Sequence, residues 1–140
     1  MYRLETKAKF DGAHFLKGYE GKCANIHGHR WEVVVEVKSE EVQTEGSFRG
    51  MVVDFAVLKK DLRDEAKRLD HALIIEEGSL KEKTMGALLE EDFRIITFPF
   101  RPTAENLAKH FFEYMKGRGY DVASVSVYET PNNKATYTES

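Results

Sequence analysis

Hydrophobic periodicity along this 140-residue chain predicts an α+β fold: two strands, a run of helices, then two strands, with antiparallel hairpins at both ends. Two observations carry that prediction. Apolar residues alternate with polar ones near both ends of the chain, which is the period of a half-buried strand. Between these stretches they recur at three- and four-residue spacing behind residues that cap helices. No repeat, low-complexity segment or Pro/Gly/Ser linker interrupts the chain, so residues 1–140 read as a single domain.

Tyr2, Leu4, Thr6, Ala8 and Phe10 share one side of a first strand. Trp31, Val33, Val35 and Val37 do the same for a second strand over 27–38. Gly12 to Gly28 is then the connection of the first hairpin, long and rich in Gly and Lys, and long loops in compact domains are often functional. Asp54 caps a helix over 55–69, with Phe55, Leu58, Leu62, Ala66 and Leu69 as its apolar stripe. Ser79 and Glu82 form a capping-box pattern for a shorter helix reaching about Glu91, and Phe93 to Phe98 reads as a short strand. Thr103 caps a helix over 104–116 that buries Ala104, Leu107, Ala108, Phe111 and Met115, and Gly117 and Gly119 end it. Val122 to Tyr128 is a strand, Pro131-Asn132-Asn133 a turn, and Ala135 to Thr138 the last strand.

Composition narrows the function classes. Lys and Arg number 21 against 24 Asp and Glu, and a net charge of −3 argues against a nucleic-acid partner, because neutralising phosphates takes a basic surface. One cysteine excludes an internal disulfide. Apolar runs such as Val33-Val34-Val35 fall far short of the roughly 18 residues of a membrane span. Met1-Tyr2-Arg3-Leu4-Glu5 lacks the layout of a signal peptide, so a cytoplasmic protein with no membrane partner is expected. The unusual feature is five histidines beside that one cysteine.

His27-Gly28-His29 opens the second strand, so both imidazoles point to the face that continues as Trp31, Val33 and Val35, and Gly28 leaves room between them. His14 ends the first strand, and a hairpin would set it beside the pair. Three imidazoles with an open fourth position are the plan of a catalytic zinc site. Cys23, four residues before His27, has three readings: a nucleophile or base, a fourth ligand closing a structural Cys-His₃ zinc site, or an inert thiol. Asp70 beside His71 would suit an acid–base dyad, but adjacent residues on a helix diverge, and a charged helix end explains them as well. Glu129 closes a strand, where a carboxylate can accept two parallel hydrogen bonds from a planar amidine-like edge or simply be solvated. Glu105 and Asn106 need only a helix-start role, and His110 has no partner at useful spacing.

Six segments in order resemble the 6-pyruvoyl-tetrahydropterin synthase superfamily. They are Phe10-Asp11-Gly12-Ala13-His14, Cys23-Ala24-Asn25-Ile26-His27-Gly28-His29, Gly50-Met51-Val52-Val53-Asp54-Phe55, Leu69-Asp70-His71, Pro102-Thr103-Ala104-Glu105-Asn106 and Tyr128-Glu129-Thr130. The resemblance implies a tunnelling fold (T-fold), an antiparallel sheet with helices packed on one face. It implies zinc held by His14, His27 and His29, proton transfer by Cys23, Asp70 and His71, and a pterin ring anchored by Glu129. Assembly would be a homo-oligomer, a ring trimer or two stacked trimers, in which Cys23 and His71 can come from different subunits. The Cys-x₃-His-Gly-His spacing is most similar to the bacterial 6-carboxy-tetrahydropterin synthase branch of queuosine and 7-deazapurine biosynthesis. That branch implies cleavage of 7,8-dihydroneopterin triphosphate to 6-carboxy-tetrahydropterin, acetaldehyde and triphosphate. Rival readings are 6-pyruvoyl-tetrahydropterin synthesis, dihydroneopterin aldolase activity, or a non-enzymatic zinc-binding protein. After Leu69-Asp70-His71 many members continue Leu-Asn, where this chain has Ala72-Leu73-Ile74-Ile75 and a longer segment to about residue 98. Lys17, Lys22 and Arg101 are candidate phosphate contacts, each also suited to a solvated surface.

Overall fold

The computed structural model describes residues 1–140. The alternating stretches become β1 (Tyr2–His14) and β2 (His27–Ser39), and the last two strands are β5 (Val122–Thr130) and β6 (Asn133–Tyr137). These four pair antiparallel in the order β1-β2-β5-β6, which is the expected α+β skeleton. The first strand runs on to His14, so the hairpin connection is residues 15–26 and not Gly12 to Gly28; a short 3₁₀ turn, Lys22–Ala24, lies within it.

The run Ala72-Leu73-Ile74-Ile75 is itself a strand, β3 (Ala72–Glu76), and β4 (Ile95–Phe98) lies beyond it. β3 pairs parallel with β1 along Gly12–His14, and β4 pairs parallel with β3. A near-continuous apolar run is what a strand covered on both sides requires, and Ala72, Ile74 and Ile75 are buried. Short of Gly12, β1 has no strand on its β3 side.

α1 (Phe55–Leu69) and α3 (Ala104–Gly117) start where their caps predict. Asp54 accepts from the Ala56 amide at 2.9 Å and Thr103 Oγ1 from the Asn106 amide at 3.2 Å. Their apolar stripes meet the face of Phe10, Trp31, Val33 and Val35 in one core cluster. Phe55 is the exception within its stripe, since it lies in the first turn and stays exposed. α2 (Glu82–Glu90) forms without the expected capping box: Lys81 is the N-cap residue and makes no side-chain cap, while Ser79 Oγ donates to the Glu76 carbonyl. It buries none of its residues. No helix is long and apolar enough to cross a membrane.

Candidate metal centre and proton-transfer dyad

Strand register brings the imidazoles together. His14 pairs directly with His27 and Gly12 with His29, and all three rings lie on the face that carries Phe10 and Trp31. Their centroids are 4.5–5.2 Å apart. The tight spot is at Gly12, where an added Cβ would sit 3.0 Å from Ile74 Cδ1 and 3.3 Å from the Phe10 ring. Gly28 belongs to the opposite face, where a Cβ would meet nothing nearer than the Gly12 carbonyl at 3.7 Å, so it is not the residue that makes room for the rings.

Two backbone carbonyls fix the tautomers. His14 Nδ1 donates to the Pro102 carbonyl and His27 Nδ1 to the Asn25 carbonyl, each at 2.7 Å. A carbonyl only accepts, so in both rings Nδ1 carries a proton, and Nε2 is the atom left to bind a metal. The Nε2 atoms of His14, His27 and His29 are all buried and without a hydrogen bond. Buried polar atoms are rarely left that way. Burial is the main force pushing the His14 and His29 pKa values below the usual imidazole range, which favours the neutral rings. Three buried, unpartnered Nε2 atoms converging on one point are the donor set a metal ion takes, and the residues present fit one.

Glu129 is the fourth member of this group, whose ligand atoms all lie within 4.8 Å of one another. Its Oε1 is 3.3 Å from His14 Nε2 and 3.2 Å from His29 Nε2, at ion-pair distance without hydrogen-bond geometry. The β5–β6 register shifts between Tyr128 and Thr130, leaving Glu129 as the extra, unpaired residue of an irregularity. The sequence held a signal for this placement. Glu129 shares parity with the buried Val125 and Val127, and Val127 pairs with Val33 two residues beyond Trp31. Cys23 does not join the group. It is half-buried in the 3₁₀ turn, where its carbonyl accepts from the Leu16 amide at 2.9 Å.

Asp70 and His71 do meet, although adjacent helical residues would not. Asp70 leaves the helix with extended ψ, and His71 takes a left-handed φ of 56°. Asp70 Oδ2 accepts from His71 Nδ1 at 2.9 Å, and Oδ1 accepts from the Asp11 amide at 2.8 Å. That amide, with the imidazole, holds the Asp70 carboxyl below its ordinary range. His71 is 77% exposed and lines a cleft of about 540 Å³ with His29, Phe93 and Arg94. A second cleft, of about 610 Å³, has His29, Tyr128 and Glu129 in its wall.

No sequence pattern marks the orienting carbonyls of Pro102 and Asn25, since any residue supplies one. Nor did it show a partner for His110, whose Nε2 meets the buried carboxylate of Glu65. Of the candidate phosphate contacts, Arg101 spends its guanidinium on the Lys17 carbonyl, and Lys17 and Lys22 are exposed on the 15–26 loop.

The fold has counterparts among known proteins. A 6-carboxy-5,6,7,8-tetrahydropterin synthase of Haemophilus influenzae is 32% identical over 145 aligned residues, covering 99% of this chain and 100% of that protein. An uncharacterised protein of Wolinella succinogenes shares the fold with a TM-score of 0.80 at 23% identity, over 99% of this chain and 98% of that one. The 6-pyruvoyl tetrahydropterin synthase of Caenorhabditis elegans superposes with a TM-score of 0.68 at 26% identity, covering 99% and 96%. The family profile described as 6-pyruvoyl tetrahydropterin synthase matches residues 3–140, nearly the whole chain, and the chain belongs to that family.

Proposed function

We propose that this chain is a zinc-dependent 6-carboxy-tetrahydropterin synthase. It would convert 7,8-dihydroneopterin triphosphate to 6-carboxy-5,6,7,8-tetrahydropterin, acetaldehyde and triphosphate, in the cytoplasm, for queuosine or another 7-deazapurine. The observation that carries this reading is the trio of buried, unpartnered Nε2 atoms in a chain whose full-length relatives bear that enzyme's name.

His14, His27 and His29 would hold the zinc, which when bound supplies a Lewis acid able to polarise an oxygen of the substrate's side chain. The remaining roles fall to the chain's own groups. Asp70 fixes His71 through Nδ1, which leaves Nε2 of an exposed ring free to take up and return protons. Cys23 is the second proton-transfer group, on the loop that leads into His27. Glu129 anchors the pterin by accepting from its amidine-like edge at the mouth of the cleft it shares with His29.

The open side of β1 before Gly12 and the outer side of β6 are edges that another copy can pair with, which supports a ring of subunits. Antiparallel joining of those edges would bring Asp70 and His71 of one subunit toward Glu129 of the next, because Asp70 bonds at Asp11 and β6 begins just after Thr130.

Metal removal tests the reading. Chelation is expected to abolish turnover of 7,8-dihydroneopterin triphosphate and zinc to restore it. Cys23→Ala is expected to keep its zinc and lose activity by about a hundredfold or more, the scale of a proton-transfer group. Full activity in metal-free protein, or loss of zinc from Cys23→Ala, would contradict these assignments.

A further inference from the structure

Each of the three helices is followed by a left-handed residue one place past its C-cap: His71 after α1, Asp92 after α2 and Gly119 after α3. Two of these ends close as such ends usually do, by sending amides back to the last turn. After α2, the Asp92 amide returns to the Leu89 carbonyl at 3.0 Å and the Phe93 amide to Leu88 at 3.1 Å. After α3, the Gly119 amide returns to Lys116 at 3.0 Å and the Tyr120 amide to Met115 at 3.3 Å. The same pattern on α1 would send the amides of His71 and Ala72 to the carbonyls of Arg68 and Lys67. The His71 amide goes instead to the Asp11 carbonyl on β1, at 2.6 Å, and Ala72 already belongs to β3.

One side chain takes the two carbonyls left over. Arg94 Nη2 donates to Arg68 and, at 3.2 Å, to Lys67. The Arg94 backbone carbonyl also accepts from the Leu73 amide, at 3.0 Å. Arg94 therefore grips the chain on both sides of Asp70 and His71, while Asp11 holds the pair itself through its amide and carbonyl. The Asp11 amide is the main cause of the lowered Asp70 carboxyl, and the Arg94 charge adds to it. Arg94 and His71 line the same cleft.

We infer that Arg94 is a positioning residue for the Asp70–His71 dyad. By satisfying the end of α1, it leaves the His71 amide free for β1, and that path of the backbone is the one in which Asp70 Oδ2 meets His71 Nδ1. Without the guanidinium, the Arg68 and Lys67 carbonyls draw the next amides back toward the helix, and the dyad comes apart. The consequence for catalysis rests on the proton-transfer reading above; the placement of the dyad does not.

The test uses the full-length, zinc-loaded protein and three variants. Arg94→Met keeps the apolar stem and drops every donor, and Arg94→Gln shortens the reach to the two carbonyls. Lys83→Met, the control, removes an exposed cation from α2. NMR of ¹⁵N-labelled histidine at alkaline pH reads the His71 tautomer, with the missing signal of His71→Gln as the assignment. Wild type and Lys83→Met are expected to keep the proton on Nδ1, facing Asp70, and both Arg94 variants to shift it toward Nε2. On 7,8-dihydroneopterin triphosphate, kcat of the Arg94 variants is expected to fall about ten- to a hundredfold, the scale of a misplaced catalytic group. KM and zinc content should stay close to wild type. If one Arg94 variant fails to fold, the other decides. A wild-type tautomer after loss of the guanidinium, or an unchanged kcat where wild type turns over, overturns the inference. A tautomer shift without turnover by any form, wild type included, supports the positioning and overturns the proton-transfer reading instead.

Discussion

Glu65 is a charged side chain in the buried layer of α1, and its partners explain how it is tolerated. Arg68 donates to it at 2.8 and 3.0 Å, and His110 meets its second oxygen. Burial alone would push this carboxyl up, but the His110 and Arg68 hydrogen bonds outweigh it and hold the pKa below 4.5. A folded value below the unfolded one gives stabilisation that is complete above pH 4.5 and lost as pH falls through the lower, folded value. Glu65→Gln is therefore expected to cost about 3 kcal/mol at neutral pH, and the gap from wild type should narrow in acid. Thermal melts at pH 7 and in strong acid read both effects; a gap that persists unchanged in acid would deny the charge its part. Sequence could not show this cluster, because 45 residues separate Glu65 from His110. The three imidazoles were legible because strand parity is rigid: His27 and His29 must share a face, and a hairpin sets His14 beside them. Asp70–His71 was obscured by a rule for helices that stops applying at the residue where the chain turns left-handed.

Among the elements, α3 has a double task. Thr103 caps it, and the residue before, Pro102, turns its carbonyl to His14. Arg101 ties the same turn to the 15–26 loop through the Lys17 carbonyl at 2.6 Å, and Asn106 Nδ2 secures the Arg101 carbonyl at 3.0 Å. Thr103→Ala should cost about 1 kcal/mol of stability and weaken zinc retention against a chelator. Denaturant unfolding and competition with a metallochromic chelator measure the two, and undiminished retention would separate the cap from the ligand. Helix boundaries here were legible because Asp54 and Thr103 are local signals that the structure uses unchanged. The Ser79–Glu82 box is the counterexample, since Ser79 Oγ turns back to the Glu76 carbonyl. β3 was hidden for a different reason: a strand covered on both sides loses the alternation that reveals strands, and only its partners identify it.

At the scale of the whole molecule, the sheet runs from β4 to β6, and β1 before Gly12 is open as well because β3 pairs only with its last residues. Long exposed edges are sites of pairing with another chain. Light scattering on the purified protein is expected to give a trimer or a pair of trimers of the 16.1 kDa chain; a monomer at working concentration would contradict edge-to-edge joining. Sequence showed the four antiparallel strands and their apolar face, but an edge is defined by what fails to pair with it, and no local pattern records that. The same assembly would complete the site by bringing the dyad to Glu129, so chemistry and assembly rise or fall together. Product analysis after incubation with 7,8-dihydroneopterin triphosphate tests the whole account most directly. A 6-carboxy-tetrahydropterin formed together with acetaldehyde is the predicted result, and a product that keeps its three-carbon side chain, or a 6-hydroxymethyl pterin, would contradict it.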